Sequence, residues 1–499
     1  MPIPCILAHD LGTTGNKASL FDAEGRLLAS VFAPYATSYP EPGWAEQEPA
    51  DWWDAVSAST QDLLVRVPDV RSRLAGVAFS AMMNGCLLVD DRGVPLRPAM
   101  IHADIRSTVQ CDRILHDVGE ERAYNLTGNR VAPYFTLGKL AWLVDHEPDT
   151  VARARWAIQA KDYAAGRLTG VWGVTDRSDA SLTGCFDMKN GSWSEEMAAA
   201  GRFPRRLLPE VRCSGSLIGR VTAEAAAVTD LPHGLPVIMG GGDGPCATAG
   251  AGAVQPGDAY HYLGGTSWVA AVTEGYRPDP TRRVSVFCGL DPTQFVIYGT
   301  VQSAGSSVDW IRGVLQEPFE SLEQLAAAVP PGSRGLLFLP YLMGERSPIW
   351  DANARGVFFG LSSSHRRGEM ARAVFEGAAF ALASNLNVLE EMGLAPAEIR
   401  CLGGGMRSTL WRSILSAAYN RPLIPLARLT EATACGAAMA AAIGVGLCSD
   451  YTAAAPLFCP TAAREDPDAE AVEAYARAMP RFQRLYQALK ESFRESAET

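Results

Sequence analysis

Short apolar runs separated by glycine-rich turns open this chain. Ile3 to His9 predicts a strand, Lys17 to Phe21 its hairpin partner, and Arg26 to Phe32 a third run beyond the turn at Ala23-Glu24-Gly25. Leu74 to Ser80 and Leu235 to Gly240 are apolar runs ending in turn residues, the pattern of buried strands that lead into loops. Asp51 to Leu64, Thr136 to Asp145 and Met370 to Leu389 carry helical periodicity, and Glu470 to Ser496 reads as a terminal helix. The opening pattern restarts at Asp258, where Ala259 to Leu263 and Trp268 to Thr273 flank a second glycine turn. Two domains are therefore expected, residues 1–249 and 250–499, meeting in the small-residue stretch Ala249 to Gly257.

The glycine turns come in two pairs. Asp10-Leu11-Gly12-Thr13-Thr14-Gly15 matches Leu263-Gly264-Gly265-Thr266-Ser267, each between two strand-like runs. Gly240-Gly241-Gly242-Asp243 matches Gly403-Gly404-Gly405, each after a strand-like run and before a helical one, Cys246 to Ala253 and Thr409 to Tyr419. Backbone N–H groups in such turns hold phosphate oxygens, and a carboxylate beside them positions Mg²⁺ or accepts a proton. Asp10 suits the first role and Asp243 the second. The bland alternatives are a hairpin in which Asp10 and Thr13 satisfy backbone groups, an Asp243 that only caps its helix, and glycines at 403–405 that only let helix and strand pack closely. Lys17 lies just past the first turn, within reach of a phosphate or simply solvated on its strand. Trp44, Trp52, Trp53, His102 and Trp142 are aromatic candidates for sugar contacts. No Gly-x-Gly-x-x-Gly opens a βαβ unit, which excludes a dinucleotide fingerprint.

Composition narrows the partners. A net charge of −11 over 499 residues lacks the basic face that nucleic acid or an acidic membrane requires, so an anionic ligand must be held by backbone amides, helix N-termini and a metal. The 11 cysteines include no Cys-x-x-Cys pair, which points to a reducing cytoplasm rather than a disulfide framework or zinc site. No secretory signal is evident. The most apolar long run, Ala432 to Cys448, is built largely of Ala and Gly and predicts a buried helix, not a membrane span.

Two longer segments carry a family resemblance. Tyr134-Phe135-Thr136-Leu137-Gly138-Lys139-Leu140-Ala141-Trp142-Leu143-Val144-Asp145-His146 resembles one signature of the FGGY carbohydrate kinases. Gly356-Val357-Phe358-Phe359-Gly360-Leu361, with Glu369-Met370 and Ala373-Val374-Phe375-Glu376, resembles the other. Pro340 to Pro348 and Gly240 to Asp243 look like family segments too. The resemblance implies an α/β fold of two ribonuclease-H-like, actin-like ATPase domains with an interdomain cleft. It implies ATP and Mg²⁺ as cofactors, a small sugar as partner, and room for a homodimer.

By position, Asp243 becomes the catalytic base and Asp10 the metal carboxylate. Gly12, Thr13, Thr14 and Lys17 serve the phosphates from one side, Gly265, Thr266 and Ser267 from the other, and Gly404 and Gly405 meet the adenosine. Met83, Asn84, His102, Asp104 and Asp243 become acceptor positions. The overall likeness is to the family's xylulose-phosphorylating members, so the leading expectation is transfer to a primary hydroxyl of a ketopentose such as xylulose. Gluconate or another sugar acid or polyol is the alternative, with Arg106 as candidate cation for a carboxylate. A non-catalytic sugar- or nucleotide-binding regulator is the alternative of another class. Three departures bear on the sugar: Met82-Met83-Asn84-Gly85 for the usual Gln-Met-His-Gly, His102-Ala103-Asp104 for Trp-Asn-Asp, and Gly244 where xylulose kinases usually have Asn.

Overall fold

A computed structural model describes residues 3–497. The outermost residues of both expected domains, Met1, Pro2, Glu498 and Thr499, lie outside this range. The hairpin at the N-terminus forms as the alternation predicts: Cys5–Leu11 pairs antiparallel with Gly15–Asp22, which pairs with Leu27–Pro34. Leu74–Ala81 lies parallel on the other side of Cys5–Leu11, followed by Pro236–Ile238 and the edge strand Leu217–Arg220.

The second sheet repeats the order. Ala259–Tyr262 and Ser267–Glu274 form the hairpin, Gln294–Val301 and Ser285–Cys288 extend it antiparallel, and Ile399–Leu402 and Leu423–Pro425 add parallel strands on the far side. Three antiparallel strands beside two parallel ones recur in both sheets, each with one further edge strand, which is the duplicated ribonuclease-H-like architecture of the actin-like ATPases.

Register brings the turns together. Asp10 lies opposite Ser80, and Ser80 opposite Gly241, in three neighbouring parallel strands. Strands sit about 4.8 Å apart, so Asp243, two residues past Gly241, leaves the sheet on the same edge as Asp10. In the second sheet Tyr262 lies opposite Leu402, which puts the turn at Gly264 beside Gly403. Both glycine pairs thus occupy the carboxyl ends of parallel strands, where open α/β sheets bind ligands.

The helical expectations hold with small shifts at the ends. Helices run Pro49–Arg66, Thr136–His146, Arg367–Glu391, Thr409–Tyr419 and Ala469–Ala497. Trp52 and Trp53 are buried on the first of these, so packing claims them and not a sugar. The apolar run is a buried helix, Ala432–Gly444. It belongs by sequence to the second half, yet it packs on Cys5–Leu11 and Leu74–Ala81 of the first sheet and on the helix Asp243–Gly250. The crossing is close enough to explain the small residues. A Cβ at Gly436 would stand 2.1 Å from the Cys246 carbonyl oxygen, and one at Gly250 would stand 1.8 Å from that of Ala432.

Contact also runs the other way. The Tyr124 hydroxyl donates to Val284 O at 2.6 Å, Asn129 Nδ2 to Val286 O at 2.9 Å, and Val286 N to Gly128 O at 3.0 Å. These bonds stitch a first-half segment onto the edge strand of the second sheet. No helix among the described residues is long and apolar enough to cross a membrane, and all 11 cysteines are free.

The close helix crossing gives a direct test. Gly436→Ala forces the two backbones apart, and overpacking of this kind costs about 1–3 kcal/mol. Urea unfolding should show that loss, and a change below about 0.5 kcal/mol would contradict the packing described.

Candidate active site

The first turn points its carbonyls inward. The Tyr35 hydroxyl donates to Gly12 O at 2.5 Å, Gln47 Nε2 to Thr13 O at 2.7 Å, and Tyr35 N to Thr14 O at 3.1 Å. Gly12 N is used within the turn, donating to Gly15 O at 3.0 Å. The N–H groups of Thr13 and Thr14 have no protein acceptor among the described residues and face outward. The second turn is built alike. Gly265 O accepts from Ala304 N at 3.0 Å and Ser306 N at 3.2 Å, while the Gly265 and Thr266 N–H groups find no protein acceptor among the described residues. Two turns with carbonyls satisfied and amides unsatisfied are suited to phosphate oxygens.

Asp10 and Asp243 share the carboxyl edge of the first sheet. Asp10 Oδ2 accepts the Thr433 hydroxyl at 2.5 Å, so a residue at the start of the helix Ala432–Gly444 orients this carboxylate. Asp243 begins its helix, and its Oδ1 accepts Gly244 N at 2.7 Å. Burial pushes the Asp243 carboxyl up to about 7, with the nearby Asp10 charge adding to the rise and the Gly244 amide opposing it. A half-buried carboxylate poised near neutrality beside a second acid is the pattern of a general base.

Below the Asp243 loop lies an ionic cluster. Lys161 Nζ is fully buried, 2.6 Å from Asp162 Oδ1, 3.2 Å from Asp176 Oδ1 and 3.4 Å from Asp179 Oδ2. Burial works against the ammonium, but the three carboxylates outweigh it and hold the charge in place; burial also drives the Asp179 carboxyl well upward. Asp176 Oδ2 accepts Ser178 N at 2.8 Å and the Ser214 hydroxyl at 2.7 Å, and the Ser178 hydroxyl accepts Gly242 N at 3.1 Å. The cluster thus fixes the residue preceding Asp243. Two of its partners, Asp176 and Asp179, lie in the next helix-forming segment, and only the fold brings them onto Lys161 beside its neighbour Asp162.

The acceptor positions divide. Met83 is buried with its thioether against Gly242, close to the base. Asn84 adopts a φ of 66° and leaves its buried Oδ1 without a protein partner. His102 makes no protein hydrogen bond among the described residues, and burial, with the charges of Lys139 and Arg346, lowers it to about 4, so the ring is neutral at pH 7. Lys139 is buried, donates to the carbonyls of Asn84 (2.9 Å) and Tyr134, and is lowered by that burial to about 8. A Cβ on Gly244 would meet the Phe287 ring at 3.6 Å, so an aromatic wall from the second sheet stands where a side chain would project.

Four expectations need correction. Asp104 does not face the pocket: it is fully buried, with Oδ2 accepting Ala45 N at 2.8 Å and Arg106 Nη2 at 2.6 Å. Arg106 is buried beside it, also pairing with Glu46 at 2.7 Å and lying 3.5 Å from the Trp44 ring centroid, so its charge is already met by two protein carboxylates. Lys17 Nζ turns to Thr430 O at 2.9 Å and Glu431 Oε1 at 3.3 Å, making an interdomain ion pair in place of a phosphate contact. The Ser267 hydroxyl is buried and closes its own turn, donating to Gly264 O at 3.0 Å. At the third site Gly404 is open, with no atom near a would-be Cβ, whereas Gly405 would collide with Leu263 at 2.6 Å and serves close packing.

The sequence pattern of the FGGY family of carbohydrate kinases matches residues 5–250 as its N-terminal domain and 261–445 as its C-terminal domain. The chain belongs to the FGGY family of carbohydrate kinases. It is 32% identical over 485 residues to the xylulose kinase of Escherichia coli K12, covering 96% of this chain and 98% of that one. The crystal structure of xylulose kinase from Rhodospirillum rubrum superposes with a TM-score of 0.92 at 32% identity, over 98% of this chain and 100% of the other. Gluconate kinase from Lactobacillus acidophilus superposes with a TM-score of 0.93 at 27% identity, over 99% of each chain. The chain is accordingly an ATP-dependent sugar phosphotransferase of the two-domain actin-like ATPase fold.

Two variants test this kinase's site architecture. Lys161→Met strands three buried carboxylates and should cost about 3–5 kcal/mol in urea unfolding; a loss under about 1 kcal/mol would contradict the cluster. Lys17→Met should leave the KM for ATP within about twofold, because the ammonium is turned to Thr430 and Glu431; a tenfold rise would return Lys17 to the phosphates.

Proposed function

We propose that this kinase transfers the γ-phosphoryl group of ATP to a primary hydroxyl of a small sugar, with Asp243 as the general base and a ketopentose such as xylulose as the acceptor. The observation that carries this reading is the Asp243 carboxylate at the head of its helix, brought up to about 7 by burial and by Asp10. A carboxylate at that value is largely ionised just above neutrality and is basic enough to take a proton.

The residues divide the work as follows. The outward amides of Thr13, Thr14, Gly265 and Thr266 bind phosphate oxygens, and Gly404 offers a bare backbone surface to the adenosine. Asp243 accepts the proton of the acceptor hydroxyl as its oxygen attacks the γ-phosphorus in line and the bond to the β–γ bridging oxygen breaks toward ADP. Asn84 Oδ1 and the neutral His102 ring pair with sugar hydroxyls; pairing of this kind sets specificity strongly.

Mg²⁺ fits the donors present. One Asp10 oxygen is held by Thr433 and the other is free for the ion directly or through water, and a single carboxylate with phosphate oxygens is the usual Mg²⁺ arrangement. The ion would neutralise charge on the phosphates.

A gluconate acceptor is the second reading, supported by the absence of an Asn side chain at Gly244 and by the likeness to gluconate kinase. ADP release measured over a panel of ketoses, polyols and aldonates decides between them: xylulose should give the highest kcat/KM, and preference for gluconate would establish the second reading. Asp243→Asn should lower kcat by at least ~10²-fold while ATP binding persists. Near-normal turnover by that variant would remove Asp243 from the role.

A further inference from the structure

Arg346 has no assigned part in the site above, yet it is the cation whose surroundings suit a ligand. It lies in the segment Pro340 to Pro348 of the second half. Its Nε donates to Gln302 Oε1 at 2.7 Å, and its backbone N to Glu345 Oε1 at 2.7 Å. Gln302 directly follows the strand Gln294–Val301, and the same Glu345 oxygen accepts Gln302 N at 2.7 Å. The stem of Arg346 is therefore clamped to the second sheet. Arg346 forms no ion pair among the described residues, in contrast to Arg106 with its two carboxylates.

The loop that carries Arg346 touches the first half of the chain. The Trp350 backbone N donates to Arg346 O at 2.6 Å, and the Trp350 ring lies 5.0 Å from the Arg130 guanidinium. Arg130 follows the stitched segment Gly128-Asn129 and precedes Tyr134 by four residues. Tyr134 in turn provides one of the two carbonyls that hold Lys139, the other being that of Asn84.

The Arg346 guanidinium reaches the Tyr134 hydroxyl and its charge bears on His102, while the charge that bears on Asp243 is Asp10. Between the two ends runs an aromatic wall: Phe287 faces Gly244, and its ring centroid is 5.0 Å from that of Tyr298, which also feels Arg346. An acidic group, Asp243, and a cationic one, Arg346, thus neighbour the same pair of rings.

We propose that Arg346 is a specificity-determining residue of this kinase. Its guanidinium, anchored by Gln302, donates hydrogen bonds to acceptor oxygens at the end of the sugar remote from the phosphorylated carbon, opposite His102 and Tyr134. The planar fork suits two neighbouring oxygens, whether a carbonyl with its adjacent hydroxyl or a carboxylate. Because Asp243 and Asn84 come from the first sheet's side and Arg346 from the second, the acceptor bridges the lobes. This rests on the sugar-kinase reading and adds the contact through which the second domain takes part in acceptor recognition.

Steady-state kinetics of Arg346→Gln, with the best acceptor of the panel, test it. Loss of charge-assisted bonds predicts a fall of roughly 10- to 100-fold in acceptor kcat/KM, carried mostly by KM. The KM for ATP and the ADP affinity by calorimetry should stay within about twofold. Arg346→Lys keeps the charge without the fork and should fall between Gln and the parent protein, and it serves as the test should the Gln variant not fold. Gln302→Ala, which frees the anchor, should raise acceptor KM by a smaller factor at unchanged ATP KM. An unchanged acceptor KM in the Arg346 variants would overturn the proposal, as would nucleotide affinity falling in parallel, the signature of a merely structural arginine. Failure of the sugar-kinase reading looks different: the parent protein itself would release no ADP with any acceptor.

Discussion

The hydrogen bond from Thr433 to Asp10 joins the two halves of this protein at the sheet edge that carries both Asp10 and Asp243. Asp10 lies on the central strand of the first sheet; Thr433 comes from a helix more than 400 residues later that packs on that same sheet. The carboxylate is therefore oriented by the other half of the chain. Lys17 with Glu431 and Ser19 with Glu431 reinforce the same seam on the neighbouring strand. The seam requires backbone approach at Gly250 and Gly436, and that requirement explains a helix made mostly of alanine and glycine. Movement of the lobes about this seam would keep Asp10 and Thr433 together while the remoter walls of the cleft shift.

Charge is distributed in keeping with phosphoryl transfer. Asp10 and Asp243 share one edge, where the first raises the proton affinity of the second. The two glycine turns present unpaired amides and no ammonium group, since Lys17 and Arg106 are turned to structural ion pairs in this chain of net charge −11. Behind the base, Lys161 with three aspartates makes a rigid foundation. Buried ion pairs add little net stability, and here the Ser178 hydroxyl beside the cluster holds Gly242 N, the residue before Asp243.

Much of this was legible in the sequence because it is local. Alternation and turn residues located the hairpins, the repeat of the opening pattern at Asp258 exposed the duplication, and the Ala-rich run announced a buried helix. Asp10 ahead of one glycine turn and Asp243 just after another marked the edge where the carboxylates lie. What failed was pairing between distant segments. Asp104 and Arg106 are two residues apart and look like ligands in sequence, but the buried Glu46 and Trp44 enclose them. Lys17 looked free because Glu431 is 414 residues away. Thr433 had only a faint signal, a hydroxyl among alanines at the start of a helix, and Arg346 had none beyond its place in a family-like segment.

The account turns on the ionisation of one carboxyl group. Isotope-edited infrared difference spectra of the ligand-free kinase, titrated from pH 4 to 9 against the Asp243→Asn variant as reference, observe it directly. The account predicts a carboxylic acid band, absent from the variant, that gives way to carboxylate with a midpoint near 7. A midpoint near the ordinary aspartate value of about 4 would contradict it, since the group would then be neither desolvated nor influenced by Asp10.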